Sequence, residues 1–224
     1  MSPNKKTYSS RRKSNKMIFF TIGIIAILLI GIGAYIMLGQ SANPPTDTSP
    51  APTPNSSSTP SLTIDPDPAY ADATKVLLHT NMGDIIIALR NDMPITTGNF
   101  KNLVQQGTYN GTIFHRVISG FMIQGGDPTG TGYGDPSIPS IPDEFTSNNH
   151  NDRGTIAMAN AGPNTGSSQF FINQVNNNYL DTKHPVFGKV ISGLDVVDKI
   201  ASVATDSYDR PFANVTIIGA TILP

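Results

Sequence analysis

Nothing limits the folding of this chain more than residues 17–39 (MIFFTIGIIAILLIGIGAYIMLG), a run without a single charge. As a helix it spans roughly 30 Å, the thickness of a bilayer's hydrocarbon core. Residues 1–16 before it hold six cations (Lys5, Lys6, Arg11, Arg12, Lys13, Lys16) and no acid. Cations on that flank alone predict a cytoplasmic amino terminus and a translocated remainder. The competing reading is a cleaved signal peptide. Against it, the run exceeds the ~7–15 residues of a signal core, and no Ala-x-Ala site follows. Ser14 and Asn15 follow Arg11-Arg12 where a twin-arginine signal would place apolar residues. The expectation is therefore a basic tail over 1–16 and one transmembrane signal anchor over 17–39.

Residues 40–69 carry eight prolines and eleven Ser/Thr, with almost no large apolar side chains. Such a segment cannot offset its ordering entropy by burial, so it reads as a disordered, extended linker. Residues 70–224 have the size of one compact domain. The net charge of −1 hides this division, because 70–224 alone hold 9 basic and 13 acidic side chains. A mildly acidic domain has no charge-based claim on nucleic acid. With no cysteine in the chain, disulfides, thiolate metal sites and cysteine nucleophiles are excluded.

Within the domain, Lys75–Thr80 and Asp84–Arg90 flank Asn81-Met82-Gly83 and read as a hairpin. Pro94 opens a helix to about Gln106, with Phe100, Leu103 and Val104 as its stripe and Gly107 as its stop. Leu194–Ala201 shows helical spacing of Leu194, Val197 and Ile200. Six more runs read as strands: Ile113–Val117, Phe121–Gln124, Thr155–Ala159, Gln169–Ile172, Val186–Val190 and Val215–Leu223. Eight short strands without βαβ alternation disfavour a parallel sheet. The expected fold is mainly β, a closed eight-stranded antiparallel barrel capped by two helices.

The usual signatures of chemistry are missing. His79, His115, His150 and His184 have no helical-spacing partner for a metal, so no metal and no cofactor are expected. Ser167-Ser168 lies in neither a G-x-S-x-G elbow nor a phosphate loop. Gly130–Gly134 runs into prolines rather than a helix, unlike a dinucleotide loop. Asp143-Glu144 reads as a solvated turn. Two dense blocks of polar and aromatic residues remain, Phe114–Asp127 and Ala157–Ile172. Strict alternation puts Phe114 and Arg116 on one side of the first block, His115 and Val117 on the other. An inward Arg116 would be costly unless it lines a wet cleft or is hydrogen-bonded, and Gln124 lies close enough in sequence to orient it.

These blocks resemble the cyclophilin family of peptidyl-prolyl cis–trans isomerases. The resemblance rests on Phe114-His115-Arg116 with Gly120-Phe121-Met122-Ile123-Gln124-Gly125-Gly126-Asp127. It continues through Met158-Ala159-Asn160-Ala161-Gly162-Pro163-Asn164 and Ser168-Gln169-Phe170-Phe171-Ile172, then Leu180-Asp181-Thr182-Lys183-His184-Pro185-Val186-Phe187-Gly188. Blocks and flanks cover nearly all of 73–224. The family's fold, an eight-stranded antiparallel barrel with two helices, agrees with the independent count.

The resemblance implies roles for named residues. Arg116 would be catalytic, donating to the imide nitrogen as the X-Pro bond twists. Phe121, Met122, Phe171 and Leu180 would hold the proline ring. Gln124 would hold Arg116 and touch the substrate, Asn160 would pin the peptide through its main chain between Ala159 and Ala161, and Gln169 would close the groove. His184 would border the pocket without acting as a base, and His115 would be structural. Many members carry Trp where Tyr179 stands. The family's inhibitor cyclosporin leans on that indole, whereas the chemistry does not. The implied function is X-Pro isomerisation in exported or membrane-proximal proteins; the alternative is a proline-peptide binding module or chaperone without turnover. Proline-containing polypeptides are the expected partners, with the membrane engaged through 17–39 and the domain itself a monomer.

Overall fold

The computed structural model describes residues 67–224, so the expected tail, span and most of the linker lie outside the described residues. Among the described residues no helix is long and apolar enough to cross a membrane. Strand β1 (Lys75–Thr80) turns through Asn81-Met82 into β2 (Gly83–Leu89), in register from Lys75 opposite Ala88 to Thr80 opposite Gly83. Gly83 is required at this turn. Its φ of +132° suits no L side chain, and a Cβ there would meet Val196 Cγ2 at 2.8 Å.

Helix α1 (Pro94–Gln105) starts at proline as expected, and buries Phe100, Leu103 and Val104. Its cap comes from far away. The Glu144 carboxylate accepts the backbone N–H of Ile95 at 3.3 Å and of Thr96 at 2.9 Å, where a helix start has orphan donors and favours an anion. Asp143 instead exchanges hydrogen bonds with Asn164. The adjacent carboxylates thus have separate structural tasks. Helix α2 (Leu194–Ala201) buries Val196, Val197, Ile200 and Ala201, with Leu194 only partly covered.

The remaining strands are β3 (Arg116–Ile118), β4 (Met122–Gly125), β5 (Thr155–Met158), β6 (Phe170–Asn173), β7 (Val186–Ser192) and β8 (Ile217–Ile222). All pair antiparallel in the order β3-β4-β6-β5-β7-β2-β1-β8. The expectation of a closed barrel is corrected to a half-barrel, because β3 and β8 end the ladder without pairing to each other. Isolated bridges from Ile113 to Thr216 and Asp127 cross that gap.

The expected strand Ile113–Val117 is corrected with it. Residues 113–115 are not in the ladder, so alternation does not extend back to Phe114. Phe114 is fully buried and joins the interior with Val117, while Arg116 points to the other side. That interior is an aromatic network on the inner sheet face. Phe170 meets Phe100, Tyr109 and Phe114 edge-on at 5.7, 5.6 and 6.3 Å, and Phe100 packs on Phe187 at 5.1 Å.

Candidate active site

Directly opposed residues of an antiparallel pair share a face, and residues i and i+2 share it too. Arg116 lies opposite Gln124, Gln124 opposite Phe171, and Phe171 opposite Ala157. One row therefore crosses β3, β4, β6 and β5 on the outer face. Ile118 opposite Met122 extends that face along β3 and β4. The odd partners in the same strands, Val117, Ile123, Phe170, Ile172, Ile156 and Met158, are all in the interior core.

The outer face has an apolar cluster of its own. Met122, Ala157, Phe171, Leu180 and Val186 are buried in it, with Ile118, Phe121 and Ala159 packed against it. Phe121 next to Met122 would break alternation if both were in a strand. It precedes β4, and its carbonyl is held from outside, accepting from Gln174 N–H at 2.9 Å and Asn177 Nδ2 at 3.0 Å. Freed from the ladder, its ring stacks on Tyr179 at 6.3 Å and 19°. Tyr179 is 63% exposed and forms an outer rim, on the short 3-10 turn Asn178–Leu180 that also delivers Leu180. Burial raises the Tyr179 phenol above its ordinary value, while the Arg116 charge opposes the rise.

The polar members surround this cluster. Gln124 does not hold Arg116. Its Nε2 donates to Gln169 Oε1 at 3.0 Å, and Gln169 Nε2 donates on to the Gly132 carbonyl at 3.0 Å. The carboxylate beside Arg116 is Asp209, with Oδ2 3.4 Å from Nε. No motif marks Asp209, since it reaches Arg116 across 93 positions of sequence from an irregular turn.

Asn160 uses its side chain internally. Nδ2 donates to the Lys183 carbonyl at 2.8 Å and Oδ1 accepts from Gly162 N–H at 3.3 Å. Ala159 N–H donates to the Gln169 carbonyl, and Ala161 N–H to Thr165 Oγ1. The Ala159-Asn160-Ala161 segment is thereby fixed beside the cluster. His184 packs edge-on against Phe171 at 5.3 Å. Its Nδ1 lies 3.0 Å from the Met158 carbonyl, which can only accept, so Nδ1 carries a proton. Burial pushes its pKa below the ordinary value, favouring the neutral ring with Nε2 as an acceptor.

His115 is buried with neither ring nitrogen hydrogen-bonded, and desolvation lowers its pKa as well. Among the described residues no group of three His, Cys, Asp or Glu is placed to hold a metal ion. The arrangement joins a dry apolar floor to a guanidinium, a short hydrogen-bonded backbone segment and two amide side chains. It carries no activated nucleophile.

Comparison with known proteins agrees with this geometry. The family model described as cyclophilin type peptidyl-prolyl cis-trans isomerase/CLD matches residues 75–222. The chain is 49% identical over 152 residues to peptidyl-prolyl cis-trans isomerase ppi1 of Schizosaccharomyces pombe, covering 66% of this chain and 98% of that protein. It is 45% identical to peptidyl-prolyl cis-trans isomerase-like 1 of Gibberella zeae, covering 67% and 95%. A crystal structure of a cyclophilin type isomerase from Cryptosporidium parvum superposes with a TM-score of 0.65 at 34% identity, covering 68% of this chain and 98% of that one. A second structure of the Cryptosporidium parvum protein, in the presence of the dipeptide Ala-Pro, gives a TM-score of 0.64 at 35% identity, covering 67% and 99%. With eight antiparallel strands and two α-helices among the described residues, and residues 75–222 matching the family model, the chain belongs to the cyclophilin-type peptidyl-prolyl cis-trans isomerases.

Proposed function

We propose that the outer face of β3, β4, β6 and β5 is where isomerisation takes place, with Arg116 as its catalytic residue. The observation that carries this reading is the cross-strand row, which sets Arg116 and Gln124 on the face whose floor is Phe171, Met122 and Leu180. Amide resonance raises a barrier of about 18–20 kcal/mol to rotation about X-Pro. At the midpoint the imide is twisted, resonance is lost, and its nitrogen becomes a pyramidal acceptor. A cationic donor at that nitrogen favours the twisted form over either planar one, which is differential binding. Lowering the barrier by about 5 kcal/mol gives between three and four decades in rate.

The other residues position the substrate. Phe121, Met122, Phe171 and Leu180 receive the proline ring, where a dry floor also strengthens the guanidinium's hydrogen bond. Ala159, Asn160 and Ala161 run alongside the peptide backbone, their small side chains permitting close approach. Gln124 and Gln169 close one side, while Tyr179 and His184 border the other. Replacing Arg116 by Ala should cost about two to three decades in kcat/KM on a short X-Pro peptide. The fold should persist, since the side chain is partly exposed at the end of the sheet. Unchanged turnover in that variant would remove Arg116 from the mechanism.

Residues 17–39 and the six cations before them support placement of this domain outside the cytoplasm, on a membrane anchor with a linker over 40–69. Its substrates would then be exported chains emerging near the bilayer. Immunoblotting should find the full-length chain in membranes, with the isomerase domain digested by protease added to intact right-side-out cells. Recovery of the whole chain in the cytoplasmic soluble fraction would overturn this placement.

A further inference from the structure

We infer that Asp209 is the positioning residue for Arg116. This rests on the reading that Arg116 is the catalytic group.

Arg116 is the first residue of a strand at the end of the sheet, and its long side chain is 25% exposed. Such a guanidinium has several rotamers of similar energy, and only some direct its donors at a substrate. The Asp209 carboxylate forms an ion pair with it, Oδ2 lying 3.4 Å from Nε. A charge held on the Nε side favours the rotamers that turn the two terminal amino groups away from Asp209, toward the imide nitrogen.

The turn that carries Asp209 is constructed to present it there. Asp206 Oδ1 accepts from Tyr208 N–H at 2.8 Å and Arg210 N–H at 3.0 Å, and Asp206 N–H donates to the Arg210 carbonyl. At its apex Asp209 takes a φ of +62°, in the left-handed region that Asp and Asn tolerate better than other side chains. Its own carbonyl accepts from Val117 N–H at 2.8 Å, docking the turn onto the residue after Arg116. Arg210 then reaches over to the Gly130 carbonyl at 2.7 Å. Two positions on, Gly132 holds Gln169, which holds Gln124 opposite Arg116. The ion pair with Asp209 and the hydrogen-bonded pair Gln124–Gln169 thus both lie beside Arg116.

Asn at 209 keeps the shape and tolerates the positive φ while removing the charge, so Asp209→Asn isolates the pairing. In the full-length protein, kcat for a short X-Pro peptide should fall about three- to tenfold, as expected for a partly exposed pair whose loss misaligns its donor, with KM little changed. Asp209→Gly, which also accepts the backbone conformation, should behave alike. Thermal midpoints and the Val117 amide resonance check that the turn is intact. The deciding measurement is the same substitution in an Arg116→Ala background, where it should have no further effect on turnover.

An equal fractional loss in both backgrounds would show that Asp209 acts independently and would overturn the assignment. So would unchanged or raised kcat in Asp209→Asn alongside an inactive Arg116→Ala, and that result would leave the catalytic role of Arg116 standing. Full activity in Arg116→Ala itself would instead refute the underlying reading, and the positioning role with it.

Discussion

Phe170 and Phe171 are adjacent, chemically identical and both buried, yet they belong to different apolar clusters. Phe170 is surrounded by Phe100, Tyr109 and Phe114 inside the half-barrel. Phe171 meets Met122, Leu180 and the His184 ring on the outer face, in the row that ends at Arg116. The interior is covered by α1 and α2 as well as by the sheet. The outer cluster takes Leu180 from a short 3-10 turn and is rimmed by the exposed Tyr179. Burial alone therefore does not separate residues that hold the fold from residues proposed to receive the substrate. The sheet face on which each one lies does.

Truncating each phenylalanine should separate the two tasks most sharply. Phe170→Ala removes the hub of the aromatic network and should cost about 3–5 kcal/mol of stability. Phe171→Ala should cost less, roughly 1–2 kcal/mol, because its cluster is small, with only Met122, Ala157, Leu180 and Val186 as buried apolar members beside it, and can collapse into the gap. Its effect on kcat/KM should be roughly ten- to a hundredfold, the contact energy of a side chain with the proline ring. Urea unfolding paired with peptide isomerisation kinetics would measure both. If Phe171→Ala proved as unstable as Phe170→Ala while turning over normally, the two clusters would be one core.

How much of this was legible in the sequence follows from the range of each signal. Pro94 at the start of α1, the 75–89 hairpin and the helical stripe at Val197 and Ile200 are set by neighbours within a few positions, and each forms as expected. Of the motif residues, Arg116, Met122, Gln124 and Phe171 also lie on one face of the sheet. What failed was set over long range. The Glu144 cap lies 48 positions from Thr96, and Asp209 approaches Arg116 through a turn with no distinctive composition. The expectation that Gln124 holds Arg116 rests on closeness in sequence and on the family resemblance, and the structure does set the two opposite each other in register. Gln124 turns instead to Gln169, a partner fixed by the 130–134 loop. Closure of the barrel failed for a related reason. A strand count does not tell whether the first and last strands meet, and residues 113–115 pass the gap outside the ladder.

A smaller effect should distinguish the two faces by their response to pH. Tyr109 is the titratable member of the interior apolar cluster, and desolvation pushes its phenol far above its ordinary value, so it stays uncharged near neutrality. The outer cluster is different, because His184 packs on its Phe171 and has a pKa lowered by burial. Such a histidine binds more protons unfolded than folded between its depressed native value and the unfolded value near 6.5. Stability then rises with pH through that window and is lost as pH falls below about 6.5. Buried His115 contributes with the same sign, so the wild-type slope has two sources. Asp127 and Asp181, with lowered values, add losses only below the ordinary 3.8 of an aspartate. His184→Gln should therefore flatten, without abolishing, the fall in thermal midpoint between pH 7.5 and about 5. The slope should flatten further when His115 is replaced as well. An unaltered slope in His184→Gln would mean that the groove-side cluster is as indifferent to protons as the interior, and the contrast between the two faces would then be one of shape alone.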